Sequence, residues 1–155
     1  MRCAEVSRRT GETDINISLD LDGQGTSNLD TGMGFFEHML NLFTTHGQFN
    51  LKVECSGDLF VDGHHSVEDI GIALGQAFTK AMGDKVGIKR YGTAFVPMDE
   101  ALIMVSLDLS GRAFLNYEVL VKAQMIGDYD TELTEEFLRA FAFNAGITLH
   151  VKMMA

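Results

Sequence analysis

The chain repeats itself in order, which restricts its fold to architectures that two copies of one small unit can build together. Residues 12–23 read ETDINISLDLDG and residues 100–111 read EALIMVSLDLSG; Ser18-Leu19-Asp20-Leu21 thus answers Ser106-Leu107-Asp108-Leu109 at the 88-residue offset that separates Glu12 from Glu100. After a longer hairpin a second register takes over. Asp30 answers Asp128, His38-Met39-Leu40 answers Glu136-Phe137-Leu138, and Leu51 and Val53 answer Leu149 and Val151, all at the 98-residue offset from Asp30 to Asp128. At 155 residues, 46% of them hydrophobic, the chain can bury one ordinary core but not two independent ones, so the copies must share it. The expectation is a single domain over residues 1–155, made of two pseudo-repeats at about 1–90 and 91–155.

Alternation of apolar and polar residues predicts strands near 2–9, 13–21, 49–56, 101–109 and 113–121, with Gly23-Gln24-Gly25 and Gly111-Arg112 as turns. Helical spacing predicts three apolar faces: Phe35, Phe36, Met39, Leu40 and Phe43; Val67, Ile70, Leu74, Phe78 and Ala81; and Leu133, Phe137, Leu138 and Phe141. Asp130-Thr131 reads as a cap for the third helix, and Pro97 as a loop residue at the repeat boundary. Paired strands followed by a helix place helices on one face of a sheet, and two such units bury their apolar faces helix to helix between the sheets. The fold class is therefore α+β, two repeated strand-strand-helix-strand-helix units. The second unit reads as incomplete, because the counterpart of the helix opening at His64 would begin shortly after residue 155.

A formal charge of −10 with only 12 Lys+Arg argues against general nucleic-acid binding, which needs phosphate-neutralising surface. Cys3 and Cys55 form no disulfide framework or CxxC motif and suggest a reducing compartment. The start, Met1-Arg2-Cys3-Ala4-Glu5, has no signal-peptide core and no run approaches membrane-spanning length, so a soluble cytoplasmic protein with no membrane partner is expected.

Asp62-Gly63-His64-His65-Ser66-Val67-Glu68-Asp69 carries the strongest chemical signal. On a helix, Glu68 lies about 40° in azimuth from His64 and about 60° from His65, while the two rings diverge by about 100°. Diverging neighbours do not close readily on one ion, so the spacing points to two metal sites, each completed from elsewhere; the alternative is a solvated pair at a helix start. His38 lies one residue out of phase with its apolar face, and its repeat mate Glu136 is another donor suited to a divalent first-row metal. His46 is either a substrate contact or a helix C-terminal charge, and His150 reads as structural. Glu12 is a candidate general acid or base, or a solvated strand-edge charge. Arg90 and Arg112, isolated beside glycines, suit phosphate recognition or plain surface.

These residues resemble the imidazoleglycerol-phosphate dehydratase family. The likeness runs in order through Arg9-Thr10…Glu12-Thr13, Gly34-Phe35-Phe36-Glu37-His38-Met39-Leu40, Asp58…Val61-Asp62-Gly63-His64-His65…Glu68-Asp69-Ile70-Gly71, Arg90-Tyr91-Gly92, Pro97-Met98-Asp99-Glu100-Ala101, Asp108…Ser110-Gly111-Arg112 and Asn144-Ala145-Gly146…Thr148-Leu149-His150. The resemblance implies a hydro-lyase that dehydrates D-erythro-imidazole glycerol phosphate to imidazole acetol phosphate in histidine biosynthesis. By it, His38, His64, His65 and Glu68 would be manganese ligands, with Glu136 at a position where many members have histidine. Glu12 and His46 would line the substrate, and Arg90 and Arg112 would hold its phosphate. It also implies two Mn2+ per active site, shared between subunits of a homo-oligomer, an octahedral 24-mer built from trimers. The family's second HHxxE motif does not occur within these 155 residues.

The chemistry explains such a site. The proton to be lost from the glycerol chain is not next to a carbonyl, so no enolate can form, but an imidazole adjoins the departing hydroxyl. Metals on both ring nitrogens can stabilise an imidazolate that expels hydroxide, after which a base, with Glu12 as candidate, removes the acidified carbon proton. Two other classes compete. A dimetal hydrolase acting on a phosphate ester would use the same ligands, and a non-catalytic metal-cross-linked homo-oligomer would leave Glu12, Arg90 and Arg112 without a shared purpose.

Overall fold

The computed structural model describes residues 1–155. Its first half runs β1 (Cys3–Arg9), β2 (Thr13–Asp20), β3 (Thr26–Asp30), α1 (Gly34–Gly47), β4 (Asn50–Gly57) and α2 (His64–Met82). Its second half runs β5 (Tyr91–Met98), β6 (Ala101–Asp108), β7 (Phe114–Glu118), a short hairpin β8 (Met125–Ile126) and β9 (Tyr129–Asp130), α3 (Leu133–Ala145) and β10 (Thr148–Met153). Two four-stranded sheets result, ordered β1-β2-β4-β3 and β5-β6-β10-β7. In both, the two neighbours at one end are antiparallel and the last pair is parallel, β3 with β4 and β7 with β10.

The pairing registers repeat with the sequence. Leu19 faces Leu51 in the first sheet and Leu107 faces Leu149 in the second. Cys3 pairs with Asp20 as Tyr91 does with Asp108, and Thr26 with Asn50 as Phe114 does with Thr148. The 88-residue offset thus holds through β7, and the step to 98 falls in residues 119–128, which include β8.

Alternation fixes which face each strand buries. Ile15, Ile17 and Leu19 of β2 and Leu51 and Val53 of β4 turn inward and are at most 3% exposed. They join Val67, Ile70 and Leu74 of α2, Ala142 and Ala145 of α3, and Leu149 and Val151 of β10 in one cluster of 25 buried residues. The first unit has one strand more than the apolar pattern displays, because β3 (TSNLD) carries a single large apolar residue, Leu29; in the second, β5 and β10 and the short β8–β9 hairpin lie outside the two segments that alternation marked. Pro97 is not in a loop. It pairs with Leu102 in β5, an edge strand, where a missing N–H need not interrupt the ladder. Cys3 is exposed on the other edge strand, while Cys55 is half-buried; both are free thiols.

The helices start without side-chain N-caps of the usual kind. For α1 the loop before it is held instead by Glu37, whose Oε2 accepts from Thr31 N at 2.7 Å, Thr31 Oγ1 at 2.9 Å and Gly32 N at 3.2 Å. For α2, Asp62 accepts the His64 N–H at 2.9 Å. Asp130 does not cap α3 as the sequence suggested. The N-cap position is Glu132, and Asp130 closes the preceding turn by accepting the Glu132 N–H at 3.0 Å.

Helices α2 and α3 cross at close range because α2 offers glycines. A Cβ on Gly71 would lie 2.9 Å from the Phe137 carbonyl oxygen, and one on Gly75 would lie 2.7 Å from both the Phe141 carbonyl oxygen and Asn144 Cβ. Phe78 meets Phe141 edge-on at 5.1 Å and extends the contact. On the other side of α3, between α1 and the second sheet, lies an apolar trough of about 420 Å³; Phe36, Met39 and Phe141 wall it, Ile103 and Val151 line its floor, and 16 of its 18 lining residues are hydrophobic. No helix is long and apolar enough to cross a membrane.

Candidate functional site

The turn after β4 brings the two histidines onto the first turn of α2, and their surroundings separate them. His64 Nε2 lies 3.2 Å from Glu68 Oε2, one helical turn on, as the spacing predicts. His65 turns the other way, its Nδ1 2.7 Å from Asp58 Oδ2. The rings stand 88° apart with centroids 6.1 Å from each other. The Asp58 carboxylate, chiefly through this hydrogen bond and secondarily through its charge, raises the His65 pKa above the ordinary imidazole value; burial opposes it, and Glu12 and Asp62 add to it. Glu12 therefore lies within electrostatic reach of His65.

Glu12 is itself built into a polar chain. Thr10 Oγ1 lies 3.2 Å from Glu12 Oε2 and 3.2 Å from Thr13 Oγ1, and Thr13 Oγ1 donates to Asp69 Oδ2 at 2.7 Å. Thr13 is only 3% exposed. The chain runs from α2 to the β1–β2 turn, so the helix that carries the histidines also anchors the segment that carries Glu12. Arg8 approaches the other Asp69 oxygen at 3.5 Å.

The remaining sequence-predicted residues fall into two places. His64 and Glu136 line one cleft of about 360 Å³, together with Asp62, Asp128, Asp130 and Glu132. Arg90 and Arg112 both act on Asp108. Arg90 holds that carboxylate with Nε at 2.7 Å and Nη2 at 3.1 Å, and the charges of Arg112 and Lys85 assist, so Asp108 is held below the usual carboxylate range, its hydrogen bond from Arg90 being the largest cause. Arg90 also lies over the Tyr91 ring at 4.9 Å. His38 and His46 are exposed on α1; neither lines the cleft or acts on Asp108. His150 contacts Asn116 Nδ2 at 3.3 Å and faces Phe114, in keeping with a strand residue.

The donor set of imidazole nitrogens and carboxylate oxygens suits a divalent first-row ion, and the His64–Glu68 pair already converges as two ligands of one ion would. Within one chain, however, no three His, Cys, Asp or Glu side chains gather into a metal-holding group. Three carboxylates, Asp58, Asp69 and Asp108, carry part of the family likeness in sequence but receive no role at a site there. Each touches a candidate residue or its anchor, His65, Thr13 and Arg90 respectively, and the signal that could have found it was its place in those motifs.

A duplicated α+β sandwich whose paired histidines and carboxylate open the buried helix, with arginines gathered on a carboxylate elsewhere, is the layout of an enzyme. The chain belongs to the imidazoleglycerol-phosphate dehydratase family, hydro-lyases of histidine biosynthesis, whose family sequence model matches residues 31–155. It is 61% identical over 150 residues to the imidazoleglycerol-phosphate dehydratase of Acetivibrio thermocellus, covering 97% of this chain and 77% of that one. With the enzyme of the same name from Caldanaerobacter subterraneus subsp. tengcongensis it shares 59% identity over 154 residues, covering 99% and 79%. The crystal structure of the Staphylococcus aureus imidazoleglycerol-phosphate dehydratase superposes with a TM-score of 0.88 at 41% identity, covering 98% of this chain and 84% of that one. That of the Pyrococcus furiosus enzyme in complex with (S)-C348 gives 0.83 at 31% identity, covering 97% and 80%.

Proposed function

We propose that the chain dehydrates D-erythro-imidazole glycerol phosphate to imidazole acetol phosphate at a site built around the start of α2 and completed by other copies of the chain. The observation that carries this is the pairing of His64 with Glu68 and of His65 with Asp58, two imidazoles steered apart beside Glu12. His38, His64, His65, Glu68 and Glu136 would hold two Mn2+ ions. Bound there, they would supply Lewis-acid stabilisation of negative charge developing on the substrate's imidazole.

The protein's own groups then have distinct tasks. Dehydration breaks one C–O and one C–H bond and releases water, and the resulting enol tautomerises to the ketone. Glu12 takes the carbon-bound proton or returns one, with the Thr10 hydroxyl orienting its carboxylate. His46 contacts the substrate. Arg90 and Arg112 receive the phosphate; Asp108 occupies Nε and Nη2 of Arg90 and so fixes its plane, leaving Nη1 for an anion. The need for donors from several chains supports a homo-oligomer; that it is an octahedral 24-mer built from trimers is what membership of the family implies. A small polar substrate with a strongly acidic chain supports a cytoplasmic setting with no nucleic-acid or membrane partner.

Purified protein with Mn2+ and imidazole glycerol phosphate tests the reading. The expected result is the ketone product without inorganic phosphate. Phosphate release without ketone would instead identify a hydrolase, and neither product from a manganese-loaded assembly would identify a scaffold.

A further inference from the structure

Asp58 is the least exposed carboxylate of the chain, at 8%, and its environment is unusual. One oxygen, Oδ2, meets His65 Nδ1 at 2.7 Å; the other, Oδ1, is fully buried and has no hydrogen-bond partner. It forms no ion pair with Lys or Arg; its only ion-pair partner is His65. The carboxylate sits one residue past the end of β4, seven residues before His65, at the start of the turn that leads into α2. Its burial is thus compensated at a single point. A carboxylate accepts, so the ring nitrogen facing it carries the proton, and the lone pair of His65 is left on Nε2 at the exposed end of the ring.

His64 is oriented by a different group. Its Nε2 faces Glu68, and no side chain corresponding to Asp58 engages its Nδ1. The two neighbouring rings would otherwise be chemically interchangeable, since each has two nitrogens and free rotation about its side-chain bonds.

Resting on the metal reading above, we propose that Asp58 is the positioning residue of the pair: it holds His65 as the Nδ1–H tautomer and turns its Nε2 outward, so that adjacent histidines serve two ions instead of competing for one. Asp58 touches neither ion nor substrate. It acts through His65, as an outer carboxylate that fixes ring orientation and raises ligand basicity. The orphaned Oδ1 gives a second consequence. Removing His65 strands a buried carboxylate, whereas removing the charge of Asp58 in the same molecule relieves the strain.

The test uses the full chain and two readouts. Long-range 1H–15N correlation spectra of the metal-free protein, above the pH at which the ring titrates, should show His65 protonated at Nδ1, and Asp58→Asn should shift it toward the Nε2–H form. Titration with Mn2+ followed by electron paramagnetic resonance should show one class of site weakened about 10–100-fold in Asp58→Asn and the other unchanged. Asp58→Asn should add no further weakening to His65→Ala, and the double variant should melt higher than His65→Ala alone.

An Nε2–H tautomer in the parent chain, or an unchanged spectrum in Asp58→Asn, would overturn the proposal. Equal weakening of both metal classes would also overturn it, since that is what a merely structural carboxylate would give. The described tautomer in a parent chain that binds no Mn2+ would overturn the metal reading while leaving the hold of Asp58 on His65 standing.

Discussion

Gly75→Ala tests whether the α2–α3 crossing sets the spacing of the two halves. In an open helix the substitution would stabilise by about 1 kcal/mol through lower backbone entropy in the unfolded chain. Here the new methyl would meet the Phe141 carbonyl oxygen and Asn144 Cβ at 2.7 Å and the Ala145 nitrogen at 3.0 Å, where ordinary contact begins near 3.4 Å. Two of these atoms are backbone and cannot rotate away, so α3 must shift by several tenths of an ångström, which places the overpacking cost toward the upper part of its usual range of about 1–3 kcal/mol. The net loss is then about 1–2 kcal/mol. For a chain of this size, that lowers the melting temperature by about 2–8 °C.

Gly71→Ala meets α3 one turn earlier, at 2.9 Å from the Phe137 carbonyl oxygen, and should cost a similar amount. The double variant should cost less than the sum, because one separation of the helices relieves both contacts. Gly34→Ala, with nothing within 4 Å of its Cβ position, is the control and should leave stability unchanged or slightly raised. Urea unfolding of all four proteins decides the matter. If Gly75→Ala is as stable as the parent, or if the two costs add fully, the helices are not held at contact by these glycines and the reasoning is wrong.

Other outcomes follow from the site. Thr13→Val removes a buried hydroxyl that donates to the Asp69 carboxylate and should destabilise by about 1.5–3 kcal/mol in urea; an unchanged midpoint would show that Asp69 finds another donor. His64→Ala and Glu68→Ala should each lose Mn2+ and the higher assembly, checked by metal analysis and light scattering; retention of both would remove them from the ligand set. Arg90→Ala should weaken binding of imidazole glycerol phosphate with Mn2+ retained, and equal weakening toward a phosphate-free analogue would refute the phosphate role. The Asp108 carboxyl is held low by Arg90, so its stabilising contribution is complete above the unfolded carboxylate pKa, near 4, and disappears as pH falls through the lower folded value. Asp108→Asn should therefore flatten the acid limb of stability against pH, as read from urea midpoints, and an acid limb as steep as the parent's would count against the pair.

The duplication was legible because burial stamps a period on sequence, whereas the strand order within each sheet was not read from it. Leu19, Leu51, Leu107 and Leu149 occupy equivalent inward positions, so the two offsets in the sequence reappear as two pairing registers. The strand β3 was not legible, since Thr26, Ser27 and Asn28 pair through their backbone and bury little, leaving Leu29 as a lone apolar mark. Pro97 misled for a related reason: a residue that breaks a central strand is tolerated on an edge, and edge position is a property of the sheet, not of the segment. At the site, the helical period brought Glu68 to His64, as the spacing implies. Asp58 lay beyond that reasoning because it reaches His65 across an irregular turn, and Arg90 showed its type but not that Asp108 already grips it.

The apolar trough between α1, α3 and the second sheet also shapes how the protein responds to temperature. Unfolding raises the heat capacity because it wets apolar surface, at about 0.45 cal/K/mol per Å², and ordinary chains of 155 residues gain about 2 kcal/mol/K. Only the part of the trough wall that solvent already reaches contributes nothing to that gain; lining residues such as Phe36 and Leu74 are buried and still count toward it. Calorimetry of the isolated chain should therefore give a heat-capacity increment only slightly below the one its length implies, by about 5%, so that the dome of stability against temperature is flattened by no more than that and an open groove of this size leaves cold sensitivity close to that of a sealed core.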